Sequence, residues 1–113
     1  MNLLLTGGTG FFGKALLRHW LGIANAGLQV PLVTVLSRAP VAFLARHPEF
    51  SGLAWLRLQQ GDILQPASFP ETGGFTHVLH AAADSTAGAQ LSPLQRYTQI
   101  VEGTRHVLDY SVR

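Results

Sequence analysis

Residues 3–13 run Leu3-Leu4-Leu5-Thr6-Gly7-Gly8-Thr9-Gly10-Phe11-Phe12-Gly13. An apolar run leads straight into glycines at positions 7, 10 and 13, and a helix-forming stretch follows. Each of these glycines has its own steric reason. A Cβ at Gly7 would obstruct the tight turn leaving the strand. One at Gly10 would hold an incoming pyrophosphate off the backbone, and one at Gly13 would lift the helix from the sheet. The helix that opens here presents the unpaired N–H groups of its first turn, on Phe11, Phe12 and Gly13, together with the positive end of its dipole. The stretch predicts a phosphate-cradling turn between a buried strand and a helix, the arrangement that holds a dinucleotide.

Working outward, Asn2–Thr6 forms the first strand and Phe11–Ala26 the first helix. Phe12, Leu16 and Ile23, with the pairs Leu16/Leu17 and Trp20/Leu21, give that helix an apolar face, and Gly27 stops it. Val30–Leu36 is continuously apolar and β-branched, as in a parallel strand buried on both faces. Pro40–Arg46 is a short helix and Leu53–Leu58 a third strand, followed by Gly61-Asp62-Ile63. Pro66, Pro70 and Gly73-Gly74 punctuate a loop or short helix. Thr76–His80 is a fourth strand, continuing into Ala81-Ala82-Ala83. The last helix opens on Ser92 and Gln95 at capping-box spacing, with Pro93 at its first position. Tyr97, Val101, Thr104 and Leu108 form its stripe, widened by Ile100 and Val107.

Strands alternating with helices predict an α/β fold of Rossmann type: a parallel sheet with helices on both faces and strand order 3-2-1-4. A ligand then sits over the carboxyl ends of strands 1 and 4, where the winding reverses. The glycine turn and Ala81 to Ser85 both fall there.

The 113 residues suffice for one domain, with 47% apolar and only 12% charged residues, against roughly a quarter charged in ordinary domains. A surface so lightly charged points either to a partner that covers part of it or to a piece of something larger, and the second is favoured. The net charge of +2 is scattered, with no basic stripe for nucleic acid. The absence of cysteine excludes disulfides and thiolate catalysis. No apolar run reaches membrane-span length and no signal peptide is visible, so a cytoplasmic domain with neither nucleic-acid nor membrane partner is expected. The histidines at 19, 47, 77, 80 and 106 show no metal-ligand spacing. His77 and His80 point to opposite faces of their strand, and His80 is expected to be a hydrogen-bonded core residue beside the crevice. Trp20 and Trp55 are expected to pack.

Four segments together resemble the extended short-chain dehydrogenase/reductase family, which includes nucleotide-sugar epimerases and dehydratases. Thr6 to Gly13 is similar to that family's TGxxGxxG turn, and Gly61-Asp62-Ile63 to the acidic dipeptide whose side chain meets the adenine. His80-Ala81-Ala82-Ala83 is similar to the HxAA segment that lines the cofactor, and Gly103-Thr104 with Val107-Leu108 to a pattern of the following helix. Ala82-Ala83-Asp84-Ser85 resembles the AAES segment of dTDP-glucose 4,6-dehydratases, with Asp for Glu. Two departures stand out. Ile100 occupies the place of a family Asn. The family's catalytic Tyr-x-x-x-Lys is absent, since Tyr97 and Tyr110 have no lysine four residues on and Lys14 is the only lysine.

The resemblance implies that residues 1–113 are the N-terminal part of an NAD(P)-binding Rossmann domain, truncated before its catalytic and substrate-binding parts. The parent would be an NAD(P)-dependent epimerase, dehydratase or reductase acting on a nucleotide sugar. The alternative is a non-catalytic NAD(P)-binding or redox-sensing module. No catalytic or metal-binding residue is assigned. Gly7, Gly10, Phe11, Phe12 and Gly13 would hold the pyrophosphate, Asp62 and Ile63 the adenine, and Ala81, Ala82 and Ala83 the ribose and nicotinamide side. An NAD-preferring site has a carboxylate at the end of strand 2. Here Ser37-Arg38 stands instead, and Arg38 can pair with a 2′-phosphate to which Ser37 donates. NADP is therefore expected over NAD. Self-association is expected, either through the unpaired edge of strand 4 or as a homodimer of the parent.

Overall fold

The computed structural model describes residues 1–70, 74–81 and 92–112. Its elements are β1 (Asn2–Thr6), α1 (Phe11–Asn25), β2 (Leu32–Ser37), α2 (Pro40–Arg46), β3 (Leu56–Gln60), β4 (His77–His80) and α3 (Pro93–Ser111). Single turns of 3-10 helix lie at Pro48–Phe50 and Pro66–Ser68. The four strands form one parallel sheet in the order β3-β2-β1-β4, as the alternation predicts. In register, Leu4 faces Thr34 on one side and Val78 on the other.

Because successive side chains of a strand point to opposite faces, the sheet carries two cores. Leu3, Leu5, Val33 and Val35 pack with Leu17 of α1 and Phe43 of α2, joined by Phe50. Trp20 and Trp55 pack against the same cluster. On the other face Leu4 and Leu36 pack with Phe69 and with Val107 of α3. The Tyr110 ring meets Phe69 edge-on at 5.3 Å, and its hydroxyl donates to the Pro70 carbonyl at 2.8 Å. No helix among the described residues is long and apolar enough to cross a membrane.

The strands begin later than the hydropathy alone implies. Pro31 has no N–H to give a ladder, and β2 starts only where the Leu32 N–H reaches the Met1 carbonyl at 3.0 Å. Before β3, Gly52 takes a positive φ of 71° and the Leu56 N–H closes back on Leu53. Leu53 therefore opens a turn and not the strand, which starts at Leu56.

Two helix faces differ from expectation. On α1 the buried residues are Gly13 and Leu17, with Trp20 and Leu21 beside them, whereas Phe12 is 64% exposed. On α3 the capping box forms as predicted: the Gln95 N–H donates to Ser92 Oγ at 3.1 Å, and the Ser92 N–H donates to Gln95 Oε1 at 2.9 Å. Its sheet-facing side is Gly103, Val107 and Tyr110, while Tyr97, Val101 and Leu108 are exposed. Both faces are set by a glycine. A Cβ on Gly13 would lie 2.3 Å from the Gly7 carbonyl oxygen, and one on Gly103 would lie 2.4 Å from Ile63 Cδ1. The helix touches its neighbour where it has no side chain, and the large apolar residues a position away turn outward.

A candidate dinucleotide crevice

The carboxyl ends of β1, β2, β3 and β4 converge on a crevice of about 1110 Å³. Gly7 leaves β1 with φ of 76°, a conformation that costs a residue with a Cβ. The Gly10 N–H closes the turn on the Gly7 carbonyl at 3.1 Å, and the Lys14 N–H starts the helical ladder on Gly10 at 2.9 Å. Gly10 is the N-cap, and it supplies no side chain to cap the helix. No acidic residue stands in the first turn of α1. Gly7, Thr9, Gly10, Phe11 and Lys14 of this turn line the crevice, and the first turn of α1 has no side-chain acceptor for its amides. The Phe11 ring, 88% exposed, and the Phe12 ring point to solvent, so these residues can serve the site through their backbone.

Gly8 carries a constraint that the spacing of the other three glycines does not reveal. A Cβ there would sit 2.7 Å from Val35 Cγ1, so the turn lies flat on β2. The only signal for it in the sequence is the doubled Gly7-Gly8.

Beside the turn, Ser37 and Arg38 end β2 and line the crevice. Ser37 is buried, and its Oγ accepts the Ala39 N–H at 3.2 Å. Asp62 and Ile63 line the crevice after β3. One Asp62 carboxylate oxygen accepts the Leu64 N–H at 2.9 Å, a turn that an Asx side chain makes on its own backbone. Gly61 fits a close approach, since a Cβ there would meet Leu36 Cδ1 at 2.4 Å. Ile63 ties the floor to α3: the Ile63 carbonyl accepts from His106 Nδ1 at 2.7 Å, which places the proton of that imidazole on Nδ1. Ala81 lines the crevice after β4. Ala82, Ala83, Asp84 and Ser85 lie outside the described residues.

His80 is hydrogen-bonded on both sides, as expected. Nδ1 lies 2.6 Å from Thr6 Oγ1 of β1, and Nε2 lies 3.1 Å from Thr104 Oγ1 of α3. A neutral imidazole has one donor and one acceptor nitrogen, and a hydroxyl can answer either. The chain of three side chains links the central strand, the fourth strand and the last helix beneath Ala81. Burial lowers the His80 pKa from its ordinary 6.5. The unfolded chain therefore takes up the proton at higher pH than the folded one. This group's contribution to stability is complete above about pH 6.5 and is lost as the pH falls through its folded value. Denaturant midpoints measured at pH 7.5 and 5.5 are expected to fall more for the wild type than for His80→Gln. Equal falls would assign the acid sensitivity elsewhere.

The crevice is also more basic than the scattered arginines of the sequence imply. Lys14, Arg38 and Arg46 all line it, and Asp62 is the only acidic residue among its described lining. Lys14 and Arg46 are far apart in the chain, and only the docking of α1 beside α2 brings them to one opening.

A model of the NAD dependent epimerase/dehydratase family matches residues 3–113. No curated protein matches the chain. Among solved structures, the dTDP-glucose 4,6-dehydratase DesIV of Streptomyces venezuelae, a double mutant with NAD bound, is similar at 28% identity and a TM-score of 0.70. It is matched by 96% of this chain over 35% of its own. The structure of Pen from Bacillus thuringiensis is similar at 25% identity and a TM-score of 0.71, again by 96% of this chain over 32% of its own. A thiolation-reductase di-domain of an archaeal non-ribosomal peptide synthetase shares the fold at 18% identity and a TM-score of 0.75, with 99% of this chain covering 32% of it. The chain thus spans about a third of the length of the solved structures it matches.

Proposed function

From the premise that the chain belongs to the NAD dependent epimerase/dehydratase family, we propose that it is the dinucleotide-binding portion of an NAD(P)-dependent epimerase, dehydratase or reductase. The observation that carries this reading is the fit of the β1–α1 turn to a pyrophosphate. A Cβ on Gly13 would collide with the Gly7 carbonyl oxygen at 2.3 Å and with Gly8 Cα at 2.4 Å, whereas one on Gly10 would only touch the Gly7 oxygen at 3.4 Å. The turn is therefore closed onto bare backbone at Gly13, and the uncapped first turn of α1 opens directly beside it. An anion is what such a terminus stabilises.

In this reading the amides of Phe11, Phe12 and Gly13 bind the pyrophosphate, with Gly7 and Gly10 giving it room. Asp62 and Ile63 bound the adenine. Ala81, with Ala82 and Ala83 beyond it, borders the ribose and nicotinamide side. The Thr6–His80–Thr104 chain holds that wall to the sheet and to α3. When bound, the nicotinamide accepts and returns a hydride. The residues of this chain orient it and shield it from water. A Tyr-x-x-x-Lys pair is not among the residues present, since Lys14 stands alone on α1, so this chain supplies binding and leaves proton transfer to other residues of the parent. A nucleotide-sugar substrate for that parent is proposed on the likeness to the dTDP-glucose 4,6-dehydratase.

The cofactor is proposed to be NADP in preference to NAD. The end of β2 carries Ser37 and Arg38 where an acid would favour the ribose hydroxyls of NAD, and cations dominate the crevice around them. Calorimetric titration of the protein with NADP⁺ and separately with NAD⁺ is expected to give saturable binding that is about tenfold tighter for NADP⁺, the scale of one charge-assisted contact. Equal or reversed affinities would reject the NADP preference, and no binding of either would reject the dinucleotide reading.

A further inference from the structure

Resting on the reading that Asp62 and Ile63 bound the adenine, we infer that His106 of α3 is a positioning residue for that base, orienting the Asp62 carboxylate through the peptide group between Ile63 and Leu64. This peptide is held at both ends. Its carbonyl, on Ile63, accepts from His106 Nδ1 at 2.7 Å. Its N–H, on Leu64, donates to one Asp62 carboxylate oxygen at 2.9 Å. A peptide group is planar and rigid, so fixing the direction of the carbonyl fixes the direction of the N–H, and with it the oxygen that the N–H holds. Hydrogen bonds in such a series also strengthen one another. The bond to Leu64 uses one of two carboxylate oxygens, and both are acceptors. The other can take an N–H from a base in the crevice that Asp62 lines. An acceptor fixed in this way selects a base with an exocyclic amino group, as in adenine. A base with a carbonyl oxygen at that place, as in hypoxanthine, would leave it unsatisfied.

The rotation of α3 is what brings His106 to this loop. A Cβ on Gly103 would lie 2.4 Å from Ile63 Cδ1, and residues 103 and 106 share a helix face by their spacing of three. One face of α3 therefore seats both the side chain and the carbonyl of Ile63. The other side of the loop is closed by Ser68, whose Oγ accepts the Asp62 N–H at 2.9 Å. With its own N–H held by Ser68 and the following peptide held by His106, Asp62 has little backbone freedom left with which to turn its carboxylate. His106 and Ile63 stand 43 positions apart in the chain, so no spacing rule pairs them.

His106 also ties α3 to the loop, and that role alone would alter stability and leave the choice of base untouched. The ratio of two affinities separates the roles. The ligands are the tighter-bound of NADP⁺ and NAD⁺, and its hypoxanthine analogue, in which a carbonyl oxygen replaces the adenine amino group. Wild type, His106→Leu, His106→Gln and His106→Asn are titrated with both, and thermal unfolding is followed on each. The side-chain nitrogen of Asn stands as many bonds from the backbone as Nδ1, whereas that of Gln matches Nε2. Only Asn therefore returns a donor to the Ile63 carbonyl. The wild type is expected to favour the adenine dinucleotide about tenfold, the scale of one charge-assisted contact. His106→Leu and His106→Gln are expected to lose that preference, and His106→Asn to keep most of it. If the Leu and Gln variants hold the wild-type ratio, whether or not both affinities drop together, or if Asn loses it with them, the inference falls while the dinucleotide reading stands. If the wild type binds the two dinucleotides alike, the contact of Asp62 with adenine fails and takes the inference with it. No binding of either rejects the dinucleotide reading as a whole.

Discussion

Gly13→Ala is expected to destabilise the protein by about 1–3 kcal/mol and to remove dinucleotide binding. In an ordinary helix the same change would stabilise by up to about 1 kcal/mol, because alanine loses less backbone entropy on folding. Here the added carbon would lie 2.3 Å from the Gly7 carbonyl oxygen and 2.4 Å from Gly8 Cα. Both are backbone atoms, so no rotamer change relieves the contact. Either α1 lifts away from the sheet or the turn opens, and both movements carry the amides of Phe11 and Phe12 away from the pyrophosphate position. Gly22 is the internal control. It lies in the same helix, and a Cβ added there would meet nothing within 4 Å, so Gly22→Ala is expected to raise stability by about 0.5–1 kcal/mol and leave binding intact. Urea unfolding of the two variants should move the midpoint in opposite directions. A Gly13→Ala midpoint at or above the wild type would show that the helix is not pinned by this contact.

Phe43→Ala is expected to cost about 3–5 kcal/mol, a large part of the roughly 5–15 kcal/mol typical of a whole domain. Phe43 is buried to 1% exposure in the cluster beneath α1 and α2. Its ring stacks on Phe50 at 5.6 Å with 12° between planes, and tilts against His47 at 5.1 Å. No other residue of the seven-residue α2 is buried to this extent, and so short a helix has little stability apart from its packing. Removing the ring therefore releases α2 together with Arg46 and the rim of the crevice. Denaturant unfolding measures the loss. A cost under about 1 kcal/mol would mean that the neighbours collapse into the cavity and that α2 is held by other contacts. A Phe43→Ala, Phe50→Ala cycle should also show a coupling of about 0.5–1.5 kcal/mol from the ring pair.

Two errors of register show where a sequence is hard to interpret and why. Hydropathy places Phe12, Leu16 and Ile23, with the pairs Leu16/Leu17 and Trp20/Leu21, on the inner face of α1, and Tyr97, Val101, Thr104 and Leu108, widened by Ile100 and Val107, on that of α3; Leu17, Trp20, Leu21 and Val107 do lie inward, while Phe12, Tyr97, Val101 and Leu108 are exposed. In both helices the contact is organised around a glycine that hydropathy scores as nothing. Gly13 and Gly103 let the helices come so close that they, with Leu17 and Val107, become the buried line. The close approach that the glycine motif demands at Gly13 predicts the inner face of α1 better than the apolar count does. The strand order came through intact because it depends on features that survive small errors of boundary: the β–α alternation, the handedness of crossovers and the place of the glycine turn.

The local chemistry of this protein was legible in the sequence. Spacing alone determined the turn at Gly7 to Gly13, the capping box at Ser92 and Gln95, the opposite faces of His77 and His80, and the parallel sheet ordered 3-2-1-4. Each follows from covalent geometry acting over a few residues, or from the small set of allowed windings. Tertiary structure decided what depends on distant residues meeting. It set Gly8 against Val35, linked Thr6, His80 and Thr104 into one hydrogen-bonded chain, tied Ile63 to His106, and brought Lys14, Arg38 and Arg46 to one crevice. Those contacts arise from the rotation of each helix about its own axis, and that rotation is fixed by close packing between surfaces that the linear order of residues does not place side by side.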